Sequence, residues 1–135
     1  MVQLPTAGLL AIQNRKLLLA YSRNKNCFYL PGGKIGEGET ATEALCREIS
    51  EEMNVIVYEH ELRYYVHITA PAYGEANGVI MEQECYFIDR LITPRPSAEI
   101  GELKYFSLND YLLEINRAPG AVMILEILQG EGLVD

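Results

Sequence analysis

The chain is short of the groups that would let it grip a nucleic-acid backbone, cross a membrane or hold zinc. Its 135 residues carry 11 Lys and Arg against 19 Asp and Glu, for a formal net charge of −8. Binding to a long phosphate backbone relies on clustered Lys and Arg that release counterions, and no such cluster occurs, so long nucleic acid is disfavoured as a partner. No apolar run reaches membrane-spanning length and the N-terminus lacks a basic-then-apolar leader pattern, so we expect a cytoplasmic protein with no membrane partner. There are only three cysteines, Cys27, Cys46 and Cys85, unevenly spaced in apolar segments, and they read as buried reduced thiols. The two histidines, His60 and His67, have no partner at ligand spacing, and the sequence points to no acid that would orient them. Both are expected to be structural. Internal repeats and low-complexity segments are also absent.

At 49% hydrophobic residues the chain has enough apolar material for one domain, residues 1–135, around a single core. Its most informative stretch is Gly33 to Val55, GKIGEGETATEALCREISEEMNV, a glycine-rich loop followed by a helical pattern. Thr40 is a good N-cap, and Glu43 three residues later completes a capping box. Ala41, Ala44, Leu45, Ile49 and Met53 recur at spacings of three and four, forming an apolar stripe that must face a core. Asn54 marks the stop, because it tolerates the left-handed conformation common just past a helix end.

Glu48, Glu51 and Glu52 sit in the last two turns of this helix, where the helix dipole favours cations. Glu48 and Glu52 are also a like-charge i,i+4 pair, and Arg47 offsets only part of the repulsion. A solvated acidic face is one reading of this arrangement. The other is a divalent cation, which turns each penalty into a gain. Three oxygen donors with no cysteine pair or histidine beside them select Mg²⁺, or Mn²⁺, over zinc.

With the loop included, the pattern is Gly33, five residues, Glu39, seven residues, Arg47-Glu48-Ile49-Ser50-Glu51-Glu52, one residue, Asn54-Val55. This resembles the signature of the Nudix hydrolases, G-x5-E-x7-R-E-U-x-E-E-x-G-U with U aliphatic, departing from it only at Asn54, where the family has glycine. The preceding Phe28 to Gly33 resembles the strand that commonly enters this box. Inside the loop, four glycines within seven residues give backbone that approaches a ligand closely, with Lys34 a phosphate contact. Arg23 and Lys25 are the nearest upstream basic residues; each is either a phosphate contact or a solvated loop charge, with Arg23 the stronger candidate.

Along the rest of the chain, Thr6 to Tyr21 reads as a hairpin turning at Gln13-Asn14-Arg15-Lys16, with both apolar runs continuous and therefore covered on both faces. Cys27–Leu30, Val55–Tyr58, Leu62–Thr69 and Gly78–Asp89 read as strands, and Ala70 to Gly78 as a loop carrying Tyr73, which either stacks on a base or packs. In the longest strand Val79, Met81, Cys85 and Phe87 share one face, with Ile80, Glu82, Glu84, Tyr86 and Ile88 on the other. Thr93–Ser97 is a rigid loop. Ser107 caps a helix through Ile115, Pro119 opens a final helix to about Gln129, and the tail from Gly130 is expected to fray. The final helix is apolar nearly all round, so it is buried or part of a dimer contact, leaving monomer and homodimer both open.

The resemblance implies an α/β fold, the Nudix-type α/β/α sandwich around a mixed β-sheet. It implies hydrolysis of the pyrophosphate linkage of a small nucleotide, a nucleoside triphosphate or a nucleoside diphosphate linked to another group such as ADP-ribose. The alternative is a non-catalytic nucleotide sensor, and the acidic charge weighs against removal of pyrophosphate from RNA ends. By the same resemblance Glu48, Glu51 and Glu52, with the carbonyl of Gly32, hold Mg²⁺. Glu52 first, or Glu99 from a late acidic loop, takes the proton of the attacking water, with Glu102 as fallback to Glu99. Glu39 and Arg47 clamp the loop to the helix, and Gly33, Lys34 and Arg23 meet the substrate.

Overall fold

The computed structural model describes residues 2–135. Strand β1 (Val2–Leu10) is flanked by β5 (Gly32–Lys34), antiparallel, and by β7 (Val79–Ile88), parallel. Strand β6 (Leu62–Pro71) closes the far edge, so this mixed sheet runs β5-β1-β7-β6. In the second sheet, all antiparallel, β3 (Lys16–Ser22) pairs with β8 (Ile100–Phe106), β4 (Cys27–Tyr29) and the short β2 (Ile12–Gln13). Two helices cover the sheets from opposite sides, α1 (Ala41–Met53) and α3 (Pro119–Gly130), with a one-turn α2 (Leu108–Leu112) beside the latter.

The continuous apolar runs explain the layering. Ala7 and Leu9 of β1 and Leu18 of β3 pack with Leu45, Ile49 and Met53 of α1. The intervening Leu10, Leu17 and Leu19 pack on the other side with Ile124, Leu125 and Leu128 of α3. A strand buried on both faces shows no alternation, and two such strands between two helices make the α/β/α sandwich.

The expected hairpin is half right. Asn14 and Arg15 both take positive φ, 52° and 61°, as a two-residue turn matched to strand twist requires. The strand pairing with β3 is only β2, however. At Ala11 the chain leaves the mixed sheet for the antiparallel one, and Leu18 N–H closes the junction on the Ala11 carbonyl at 2.9 Å. Apolar runs covered on both sides carry no mark of which strand lies beside them.

Four other expectations are corrected. Among the described residues Val55–Tyr58 pairs with no strand, and it leads into a 3₁₀ turn, Glu59–Glu61. Val55 and Val57 are buried while Ile56 and Tyr58 are exposed, so its alternation reports burial on one side rather than sheet membership. Helix α2 ends at Leu112, where Arg117 caps the Leu112 carbonyl at 2.7 Å, and Ile115 is almost fully exposed. The tail is pinned: Val134 is buried, Asp135 N–H bonds the Arg15 carbonyl at 3.0 Å, and Arg15 Nε meets Asp135 Oδ1 at 2.6 Å. Strand β6 also runs two residues beyond Thr69, because an edge strand tolerates Pro71.

Candidate active site

Helix α1 is fixed at both ends. Thr40 Oγ1 accepts the Glu43 N–H at 3.2 Å while Glu43 Oε1 accepts the Thr40 N–H at 2.9 Å, a capping box contributing about 1 kcal/mol. At the other end Asn54 sits in the left-handed region at φ 55°, ψ 35°, where the Nudix signature has glycine. Its side chain anchors the loop that follows β7 by donating to the Arg95 carbonyl at 3.0 Å. That loop caps the helix in turn, with Arg95 N–H on the Met53 carbonyl and Ser97 N–H on the Glu52 carbonyl, both 2.9 Å. Two residues on, Glu99 is thereby delivered to the acidic end of α1.

The glycine-rich loop is clamped to the helix as expected. Arg47 grips Glu39 through Nε (2.8 Å) and Nη2 (2.9 Å), holds Glu48 Oε1 at 2.9 Å, and reaches the Lys34 carbonyl at 3.2 Å. Glu39 also accepts the Gly36 N–H at 2.7 Å, and these bonds, the Arg47 bond first, lower its pKa to about 2.

Glu52 is the most buried acid in this cluster, 4% exposed, with Oε1 accepting the Gly32 N–H at 3.1 Å. Burial, reinforced by Glu48, Glu99 and Glu51, pushes its pKa up to about 8, and burial raises that of Glu48 as well. Burial beside Glu52 and Glu99 keeps the Tyr29 phenol protonated. Glu99 Oε2 accepts from Ser22 Oγ at 3.0 Å and Asn24 Nδ2 at 3.2 Å. Each acid thus spends one oxygen on the protein. Among the described residues no hydrogen bond occupies Oε2 of Glu48, Glu51 or Glu52, or Oε1 of Glu99.

A cavity of about 410 Å³ opens from these carboxylates. Glu48, Glu52 and Glu99 line it; Glu51, more exposed and 3.6 Å from Arg47 Nη1, does not. Gly32, Gly33 and Lys34 form one wall. Pro71, Ala72, Tyr73 and Glu75 of the Ala70–Gly78 segment line the cavity as well. Arg23 is absent from the lining because its guanidinium turns to the Ala98 carbonyl at 3.0 Å, and Lys25 stands there instead. Lys25 and Lys34 both reach Glu75, at 3.6 Å and 3.8 Å.

Sequence reasoning passed over Gln83. It lies in the cavity floor beside Met81, and the signal was available: it is the one polar residue in the alternating set Val79, Met81, Cys85, Phe87. Glu82 and Glu84 do share a face, but they hold His67 between them, Nε2 2.9 Å from Glu82 and Nδ1 2.6 Å from Glu84. The orienting acids that the sequence did not point to come from the neighbouring strand.

The carboxylate oxygens suit a hard divalent cation, with excess negative charge confined at one end of a cavity. Among the described residues no three His, Cys, Asp or Glu side chains are gathered into a ready-made cage. Arg47 bonds Glu48 Oε1 at 2.9 Å and lies 3.6 Å from Glu51 Oε1, while among the described residues their second oxygens and Glu52 Oε2 carry no hydrogen bond.

A 51-residue stretch is 45% identical to the ADP-ribose pyrophosphatase of Methanocaldococcus jannaschii, covering 36% of this chain and 30% of that protein, so the match spans under a third of the relative's length. The fold is similar to the MutT NUDIX hydrolase of Burkholderia pseudomallei, with a TM-score of 0.75 at 22% identity over 93% of this chain and 98% of that one. It is also similar to the bifunctional NMN adenylyltransferase/ADP ribose pyrophosphatase of Francisella tularensis solved with AMP and a manganese ion, with a TM-score of 0.69 at 21% identity over 96% and 42% of the two chains. Residues 2–126 match the family model described as NUDIX domain, and with that coverage the chain belongs to the Nudix hydrolase family.

Proposed function

We propose that the protein hydrolyses the pyrophosphate linkage of a nucleoside diphosphate joined to a second group, with ADP-ribose the first compound to test. The observation that carries this reading is the set of carboxylates at one end of the cavity, each with one oxygen held by the protein and one left over. The 45% identical stretch shared with an ADP-ribose pyrophosphatase supports the choice of substrate.

Glu48, Glu51, Glu52 and the Gly32 carbonyl would hold Mg²⁺ or Mn²⁺. The bound ion supplies neutralisation of the pyrophosphate charge and returns the buried carboxyls to their ionised form. Glu52, or Glu99 from the lining of the same cavity, takes the proton of the water that attacks phosphorus. Lys34 and Lys25 meet phosphate oxygens, and Gly33 lets the chain approach them without a side chain. Glu39 and Arg47 act by holding the loop on the helix.

The test is product release from a nucleotide panel with Mg²⁺ or Mn²⁺ present, with the broken bond identified from the products. Glu52→Gln is expected to lower kcat by about 10² to 10⁴ while the circular dichroism spectrum is unchanged. Equal turnover by variant and wild type would sink the assignment.

A further inference from the structure

The cavity holds a hydrogen-bond donor that the reading above leaves unused. Gln83 is 5% exposed, and its Oε1 is sealed in the protein with no partner among the described residues, so the end of the amide that the cavity can reach is the donor Nε2. Among the described residues no hydrogen bond occupies Nε2 either. Other donors lining the same cavity are already engaged: Asn24 Nδ2 donates to Glu99, Lys25 and Lys34 face Glu75, and Thr6 Oγ1 donates to the Glu82 carbonyl at 3.3 Å.

Strand packing decides which part of a ligand this donor meets. The amide lies over Gly8, where a Cβ would come within 3.1 Å of both Gln83 Cδ and Nε2. Gly8 pairs in register with Gly32, whose N–H holds Glu52 Oε1 at 3.1 Å. One strand spacing, about 5 Å, therefore separates the backbone beneath the amide from the residue that anchors Glu52. The part of a bound nucleoside diphosphate that belongs beside Glu52 is its phosphate, whose oxygens accept hydrogen bonds. A lysine at this place would pair with Glu52 and compete with a cation for it. A neutral amide donates to phosphate without that competition, so it complements the acids that would hold the ion.

We infer that Gln83 binds the diphosphate of the nucleotide, donating through Nε2 a hydrogen bond to a phosphate oxygen beside Glu52. This rests on the reading of the cavity as a nucleoside diphosphate site, and the experiment separates the two. The probe is methylenediphosphonate, a diphosphate analogue that cannot be cleaved and carries neither base nor sugar. It is titrated calorimetrically, with Mg²⁺ present, into wild type and Gln83→Leu. Turnover of the nucleotide panel and the melting temperature without ligand are measured on the same two proteins.

Gln83→Leu is expected to bind the diphosphonate about tenfold or more weakly than wild type and to lose kcat/KM for ADP-ribose by a similar factor, whereas affinity within about twofold of wild type overturns the inference. The melting temperature of unliganded Gln83→Leu should equal or exceed that of wild type, because the sealed acceptor Oε1 is removed together with the donor. A merely structural amide would lower it, and affinity lost only together with stability overturns the inference. Gln83→Met replaces the Leu variant if that one does not fold. Diphosphonate binding that depends on Gln83, with no nucleotide cleaved, overturns the hydrolase reading and upholds this one. Equal cleavage of ADP-ribose by both proteins upholds the hydrolase reading and overturns this one. Absent binding of the diphosphonate to wild type overturns this inference, and absent turnover as well overturns both.

Discussion

Glu48 lies against Gly33 so closely that a Cβ on the glycine would fall 2.5 Å from the Glu48 carboxyl carbon. The glycine is the space that the carboxylate occupies. The obstructing atom is the end of a side chain, so Gly33→Ala should fold and displace Glu48 rather than break the strand. The expected result is a fall in kcat/KM of about 100-fold, with weaker Mg²⁺ dependence and little change in melting temperature. Gly32→Ala should behave differently, since its Cβ would meet the Ala7 carbonyl oxygen at 2.0 Å and its φ is 136°. That variant should lose roughly 2 kcal/mol or more of stability, read by urea unfolding.

The Glu39–Arg47 clamp makes a pH-dependent contribution of defined sign. Glu39 titrates near 2 in the folded chain and near 4.5 when free. Its contribution is therefore complete above about pH 4.5 and is lost as pH falls toward 2. In unfolding curves taken across that window, Glu39→Gln should show a shallower acid dependence than wild type. Parallel curves would show that the clamp contributes nothing.

His67 titrates the other way. Its bonds to Glu82 and then Glu84 raise its pKa above 6.5. The contribution is complete below pH 6.5 and fades as pH rises through the folded value. Proton NMR should place the His67 midpoint above 6.5, and Glu82→Gln or Glu84→Gln should each lower it. A midpoint at or below 6.5 in wild type contradicts the cradle.

Glu75 occupies the two lysines that line the cavity, Lys25 and Lys34. If they meet substrate phosphates, Glu75 is their resting counter-ion. Glu75→Gln should then lower KM for the nucleotide by about two- to fivefold with kcat little altered, and Lys25→Ala should raise KM. An unchanged KM in both variants would remove the lysines from the substrate site.

The sequence by itself determined whatever is local in the chain. The capping box at Thr40, the left-handed Asn54, the Glu39–Arg47 clamp and the acids Glu48, Glu51 and Glu52 lie within 16 residues, where helix geometry alone sets their spacing. Tertiary structure decided the rest, because it depends on pairing between distant segments that periodicity does not encode. Continuous apolar runs concealed the passage of β1 into the second sheet at Ala11, and alternating burial gave Val55–Tyr58 the look of a strand. Glu99 reaches the site only because its loop caps α1. Lys25 replaces Arg23 at the cavity because the backbone directs one side chain inward and gives the other the Ala98 carbonyl. His67 finds its acids across a strand pair, and Gln83 sets its amide near the acidic end only because β7 lies parallel to β1 with Gly8 beneath that amide.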